Sequence, residues 1–381
     1  MKINIKDLKD LMSRVNLAIE KSKINPKAGW IEIEALTNSK LLFKVSNFDY
    51  YLEALIDFSS ETEESFHATV SADTFVPLVS KLDEDFVEIE EKFNCIVFKT
   101  STSEYTFPVI KEMGKVKAVD SIKFNRSGCH RVTISSEDIV SIAEVNVKGL
   151  VDFIYSNDIQ QYIYVDEIGA ITFTEHIYLN SFKDVSAEEP FKILLNSTQA
   201  KLLKVFKSCE EVSILFEKSS SYESSKKVQF VDDTNSLTLT MIIQSDKLTE
   251  KFPSLKLRSL ATNASETKVT VDKKTLEKAL NRLMVFDKKF DVTVLNYSKI
   301  EFKDNQMQLT SVINKNYEIV PYISSENTFE RNFVIRFADL VKQVKAINSR
   351  TIDISYGKSP VISIDCNIKM LIPEIVEMNK V

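Results

Sequence analysis

The chain has 381 residues, of which 44% are apolar and 27% charged, with a formal net charge of −6. That is the balance of a globular protein of a few domains at about 100–200 residues each. No run approaches the ~20 apolar residues that span a bilayer. The opening MKINIKDLKDLM sets Asp7 and Asp10 among its lysines and lacks a signal-peptide core, so a cytoplasmic protein without a membrane partner is expected.

In chain order, Ile3-Asn4 precedes Leu8, Leu11, Met12, Val15 and Ile19. A β-branched residue, a good N-cap and apolar positions at 3.6-residue spacing predict a helix with one buried face. Strand-like runs follow at 30–35 and 41–45. Val70-Ser71 then leads a second helix through Phe75, Leu78, Val79 and Leu82, with strands at 86–89, 96–98 and 105–109.

The order returns twice. Ile134-Ser135 precedes Ile139, Ile142 and Ala143, and strands are expected at 162–165 and 171–173. Leu195-Asn196 precedes Ala200, Leu203 and Phe206, with strands at 212–216, 228–231 and 237–243. Val271-Asp272 precedes Leu276, Ala279, Leu280 and Leu283, with strands at 292–295 and 307–310. Ile335-Arg336, where arginine is a poor cap, precedes Leu340, Val341 and Val344, with strands at 351–355 and 361–364. The caps Asn4, Ser135 and Asp272 lie 131 and 137 residues apart, and the second helices start 67, 61 and 64 residues after the first. One α+β unit is therefore repeated three times, with two helices packed on antiparallel sheet in each. The expected domains are 1–118, 119–250 and 251–381, with linkers near 111–119 and 247–258.

Charge is sorted by element. The helical windows 4–27, 71–82, 135–148, 196–207, 272–289 and 336–350 sum to +10, so the remainder carries −16. The window 71–82 sums to 0 and the window 135–148 to −2; the other four carry +3 each. A basic helical face neutralises phosphate without reading sequence, and an acidic remainder keeps DNA off the outside.

Catalytic chemistry has no foothold. There is no G-x-x-x-x-G-K-[ST] loop, no glycine-rich dinucleotide turn and no compact acid–base or nucleophile motif, so neither catalytic residues nor a cofactor are expected. Glu88, Glu90 and Glu91 read as a solvated strand edge. Cys95, Cys129, Cys209 and Cys366, with His67, His130 and His176, are too scattered for a metal site or a disulfide framework; free thiols and no metal are expected.

Five segments, in order, carry a resemblance: MKINIKDLKDLMSRVNLAIEKS, FKVSNFDYYLEALI, ITFTEHIYLN, DKLTEKFPSLK and IKMLIPEI. Together they resemble the bacterial sliding clamp, the beta subunit of DNA polymerase III, over the whole chain. The resemblance implies DNA-clamp domains that close as a homodimer into a ring around double-stranded DNA, helices lining the hole. It implies a non-catalytic processivity factor. Its partners would be the DNA polymerase catalytic subunit, the clamp loader and other proteins with clamp-binding motifs.

By the same resemblance, a peptide-binding pocket would draw on Thr174, His176, Ile177, Tyr178, Leu179, Pro253, Leu257, Ile372, Pro373, Glu374 and Ile375. These are mostly apolar groups, suited to burying the Leu or Phe of a linear motif. Tyr178 and Leu257 stand where the family usually has arginine, and Glu374-Ile375 replaces Met-Arg. Those departures keep an alternative open, a clamp-like accessory or regulatory protein. An enzyme with an interdomain cleft, such as a nuclease, would need paired carboxylates facing a basic cleft, which the sequence does not present.

DNA-facing candidates are Lys23 and Lys27 in the loop after the first helix, and Lys9, Arg14, Lys201, Lys204, Lys274, Lys278, Arg282, Lys342 and Lys345 on helices. The dimer joint would set Tyr105 and Phe107 against Leu283, Met284 and Val285, hiding strand edges otherwise open to aggregation.

Overall fold

The computed structural model describes residues 1–21, 24–37, 39–59, 66–150, 158–174, 176–183, 185–217, 226–287, 297–311, 315–347, 349–365 and 369–374. The chain divides into two compact units. One comprises 1–144, 166–168 and 182–249; the other comprises 145–165, 169–181 and 250–381.

The helices are α1 (Ile5–Val15), α2 (Ala72–Lys81), α3 (Ser136–Glu144), α4 (Ser197–Leu202), α5 (Asp246–Thr249), α6 (Ser254–Asn263), α7 (Lys273–Asp287) and α8 (Phe337–Ala346). Five of them, α1, α2, α3, α7 and α8, follow a strand without a break, which is why a β-branched residue precedes each of their caps; α4 follows its strand after the single residue Asn196. Asn4 accepts from the Lys6 and Asp7 N–H groups at 2.9 and 3.3 Å, and Ser135 accepts from the Asp138 N–H at 3.1 Å. Asp272 accepts from the Thr275 N–H at 2.8 Å, and Asn196 forms a full capping box with Gln199. Ser71 and Arg336 make no side-chain cap bond.

In the first unit, nine antiparallel strands form one sheet. Their order is Val185–Ala187, His130–Ser135, Glu211–Phe216, Lys226–Asp232, Leu237–Ile243, Tyr50–Asp57, Lys40–Ser46, Trp30–Leu36 and His67–Ser71. A second sheet runs Lys2–Asn4, Phe86–Lys92, Cys95–Lys99, Glu104–Pro108. Helix α1 packs on α2 and on the 3₁₀ turn Leu203–Phe206, and α3 packs on α4. In the second unit the order is Ile163–Asp166, Gly169–Phe173, Ile177–Ser181, Lys369–Pro373, Val361–Asp365, Thr351–Tyr356, Thr267–Asp272, Tyr317–Glu326, Gln306–Ser311, Tyr297–Lys303 and Arg331–Arg336. Its core joins Leu276, Leu280, Phe302, Phe333 and Tyr356 beneath α7 and α8.

One pairing pattern recurs three times. The strand before α1, α3 or α7 pairs with the first of a three-stranded meander: Phe86–Lys92, Glu211–Phe216 or Thr351–Tyr356. Its other edge takes a short return of chain: Ser59, Val185–Ala187 or residues 322–326.

Two expectations change. The stretch 247–258, read as a linker, holds most of α5 and the first half of α6, in which Leu257 and Ala261 recur at i, i+4 and are buried. The stretch 111–119 is not featureless: Lys111–Glu112 and Lys115–Val116 form a hairpin through Met113 and Gly114 at positive φ. The expected strand at 292–295 lies outside the described residues, as does Cys366. The other three cysteines are free thiols.

The 111–119 connection is pinned by Glu32, a buried carboxylate on a sheet strand. It accepts from the Val119 N–H at 2.8 Å and meets Lys44 Nζ and His67 Nε2, each at 3.1 Å. Burial pushes its pKa up, but the Val119 N–H and the Lys44 ammonium outweigh burial and hold it below the usual carboxylate range. Glu32→Gln should cost about 1–3 kcal/mol at neutral pH. The folded carboxyl titrates below its unfolded value of about 4.3. Its contribution is therefore present above that value and lost as pH falls through the folded value. Urea melts of parent and variant should converge in acid; a gap that stays constant with pH would refute this role.

Candidate functional site

The peptide-pocket candidates all fall in the second unit. Ile177, Tyr178 and Leu179 pair with Leu371, Met370 and Lys369, and the next strand sets Ile362 against Ile372 and Val361 against Pro373. Alternation along paired strands explains why these residues come together. Helix α6, which carries Leu257, packs on Val361–Asp365. Ahead of it, Phe252 stacks on Tyr164 at 4.8 Å and meets Phe173 edge-on at 5.2 Å, which anchors Pro253.

Most of the candidates are core. Ile177, Tyr178, Leu179, Leu257 and Ile372 are buried; Thr174, His176, Pro253 and Glu374 are half-buried; Pro373 is exposed. The Glu374 N–H donates to the Pro360 carbonyl at 2.7 Å, and its carboxylate lies 3.7 Å from Arg331, whose guanidinium covers the Phe333 ring. Ile375 lies outside the described residues. Sequence reasoning missed Leu255, an apolar residue of α6 that is 82% exposed.

Tyr178, read as a departure within a pocket, is a structural pin. Its hydroxyl accepts a hydrogen bond from the Gln343 amide of α8, itself buried, and its carbonyl accepts from Asn146 Nδ2. Its ring lies over Gly149, where any Cβ would overlap it. Thr174 ties the same turn by donating to the Gly149 carbonyl at 3.1 Å.

The DNA-facing candidates differ in their electrostatics. In the first unit, Lys9 lies 3.7 Å from Asp83, Arg14 lies 3.0 Å from Asp10, and Lys27 lies 2.6 Å from Asp120. Lys201 is exposed and Lys204 half-buried, and neither has an ion-pair partner among the described residues. In the second unit, Arg282 makes a two-pronged pair with Glu318 at 2.7 and 2.6 Å, whereas Lys274, Lys278 and Lys345 are exposed without such a partner among the described residues. Lys23 and the side chain of Lys342 lie outside the described residues.

Of the joint candidates, Phe107 is 4% exposed, with its ring 5.2 and 5.3 Å from Phe75 and Phe98, and Leu283 is 2% exposed. Met284 is partly buried against the core; Tyr105 is half-buried, on a strand that ends its sheet; Val285 is exposed. Sequence reasoning missed Tyr317, Ile319 and Ile323, which are 60%, 44% and 59% exposed along one strand.

Among the described residues, the group that could hold a metal is Cys209, Asp232 and Asp233. Burial pushes the Cys209 thiol up to about 11, and the Asp232 carboxylate is engaged by Thr234, Ser236 and the Leu237 N–H. Both facts make it a poor ligand set. No helix among the described residues is long and apolar enough to cross a membrane.

No protein-family model matches the sequence, and no curated protein does. Solved structures match closely in shape. The DNA polymerase III beta subunit of Thermotoga maritima is 14% identical with a TM-score of 0.75, covering 98% of both chains. The DNA polymerase sliding clamp of Bacillus subtilis is 16% identical with a TM-score of 0.72, again over 98% of both. The Helicobacter pylori beta clamp, solved bound to a DNA ligase peptide, is 12% identical with a TM-score of 0.70, over 98% of this chain and 99% of that one.

Two substitutions probe the pin. Tyr178→Phe strands the buried Gln343 amide and should cost about 1–3 kcal/mol. Gly149→Ala forces the ring aside and should cost a similar 1–3 kcal/mol or so by overpacking. Urea midpoints check both; an unchanged midpoint in each would show that the turn at 146–149 moves freely. The fold is that of DNA polymerase III beta subunits along nearly the whole chain.

Proposed function

We propose that this protein is a DNA sliding clamp, a non-catalytic processivity factor that closes as a homodimer around duplex DNA. A DNA polymerase would be held by a short peptide seated at the Ile177–Ser181 and Lys369–Pro373 strand pair, with the clamp loader and other motif-bearing proteins using the same place. The observation that carries the reading is the likeness of fold to beta subunits over 98% of both chains. The threefold pairing pattern supports division into domains 1–118, 119–250 and 251–381.

Ring closure follows from strand edges. Twice, the last strand of one recurrence pairs with a strand of the one before: Leu237–Ile243 with Tyr50–Asp57, and Lys369–Pro373 with Ile177–Ser181. The third last strand, Glu104–Pro108, ends its sheet. The matching acceptor, Tyr317–Glu326, pairs over residues 317–321 on one side only among the described residues, and there it exposes Tyr317 and Ile319. Two chains head to tail would join these edges. The joint then keeps Tyr105 and moves from Leu283, Met284 and Val285 to residues 317–323, leaving Phe107 and Leu283 to their own cores.

The buried Tyr178, the neutral Leu257 and the paired Glu374 favour one second reading, an accessory clamp with its own partner set. Retention on DNA without binding of standard clamp-binding peptides would select it.

The decisive measurements are assembly mass and retention on DNA. A dimer of the 43.5 kDa chain should persist on circular duplex after loading and slip from free linear ends. A strict monomer that never encircles DNA would exclude the clamp. Ile319→Arg should yield folded monomers, because a buried unpaired charge at the joint costs several kcal/mol or so; an intact dimer would relocate the joint.

A further inference from the structure

Resting on the clamp reading, we infer that phosphate contact is borne by Lys201, Lys204 and Lys207 in the first unit and by Lys274, Lys278 and Lys345 in the second, while α1 is a spacer without net contact. Sequence alone gave every basic helix the same standing. The ion pairs separate them.

Four of the cations on and after α1 are already paired, and exposed Lys6 borders an acidic cleft. Lys9, Arg14, Lys21 and Lys27 each have an aspartate within 3.7 Å: Asp83, Asp10, Asp73 and Asp120. The Arg14 side chain is 19% exposed, so its guanidinium has little surface to offer. The first turn of α1 also borders a cleft of about 680 Å³ in which Asp7, Asp10, Asp83, Glu84 and Asp85 outnumber Lys6 and Lys9. A phosphate entering there meets net negative charge, and a lysine that swapped its aspartate for phosphate would leave that aspartate beside the phosphate. Helix α3 adds exposed Glu137 and Glu144 and no cation of its own.

Helix α4 is the opposite. It passes into the 3₁₀ turn Leu203–Phe206. In 3₁₀ geometry side chains three apart eclipse. Spacing by threes therefore places Lys201, Lys204 and Lys207 along one ridge, and none has an ion-pair partner among the described residues. On α7, Lys274 and Lys278 are one turn apart on one face, and Lys345 lies on α8, which packs against α7. Arg282 continues the α7 row, but Glu318 holds it. Duplex contact in such a ring is patchy, three lysines per unit, which suits weak and mobile tethering.

The test compares two full-length variants, Lys201→Ala/Lys204→Ala/Lys207→Ala and Lys9→Ala/Arg14→Ala, each checked for dimer mass. Binding to a short duplex is measured across a salt series, and retention on nicked circular DNA alongside. Each lost phosphate contact lowers the slope of log K against log salt by about 0.9. With six of these lysines in a dimeric ring, the triple variant should therefore lose up to about five units of slope while the double variant keeps the parental slope. A triple Lys→Arg variant should restore it. Equal losses in both variants, or a loss confined to the double variant, would overturn the inference and leave the clamp standing. A parent that binds neither duplex nor circle would overturn the clamp reading and this inference together.

Discussion

An open strand edge cannot be left bare, and this constraint organises the molecule. Unpaired N–H and C=O groups in a row are templates for any passing strand. Within each compact unit the chain answers by handing the last strand of one meander to a strand laid down much earlier. Leu237–Met241 pair residue by residue with Ala54–Tyr50, and the ladder is extended by the Ile242 N–H to Asp49 and the Leu55 N–H to Ser236. Lys369–Leu371 do the same with Leu179–Ile177. Each backbone bond is worth only about 0.5–1.5 kcal/mol net. The joints hold because the strands behind them, with Leu52, Leu239, Ile177 and Leu371 buried, also complete the core. Among the described residues sheets also end at Val185–Ala187, His67–Ser71 and Arg331–Arg336, but Glu104–Pro108 and the first half of Tyr317–Glu326 are the open edges whose counterparts in the other recurrences are paired. A second copy would cover them as the chain covers those counterparts.

The repeat was legible because caps and apolar spacing are local. Asn4, Ser135, Asn196 and Asp272 make the bonds their types predict, since an N-cap needs only its own next turn. The strand Tyr50–Asp57 was not called, because it is buried on both faces along much of its length and loses the alternation that marks a half-exposed strand. Helix α6 was hidden by Pro253, which reads as a break although proline is at home at a helix start. The candidate site was legible only as a set of positions. Spacing cannot say whether an apolar residue lines a pocket or fills a core, and Ile177, Leu179 and Ile372 fill one. For Tyr178 a clue existed in Gly149, a glycine in a glycine-poor chain, but its meaning needs the ring above it.

Charge shows the same limit. The pair of Asp10 and Arg14 could be read from i, i+4 spacing. The aspartates opposite Lys9 and Lys27 come from distant positions, the second of them 93 residues away. A window sum counts such lysines as free. The fold returns a carboxylate to each, and the unpaired basic positions contract from α1, α4, α7 and α8 to the α4 ridge and the α7 and α8 rows.

These features pull in one direction. A protein that gripped phosphate through all its basic helices would bind DNA tightly and move along it slowly, because each charge contact adds to the salt-sensitive affinity. Here many of the cations are internally neutralised, while the sheets carry a dense and regular ladder of hydrogen bonds. The strands at the candidate peptide site share that rigidity. Tyr178 is held at its hydroxyl by Gln343, at its carbonyl by Asn146 and along its ring by Gly149, so a partner peptide would meet a surface already in place and lose little in ordering it. In a clamp, such a division, firm backbone joints with few unpaired cations, is what holding by enclosure would require: a closed ring would resist separation, and its contact with DNA would stay weak enough to slide.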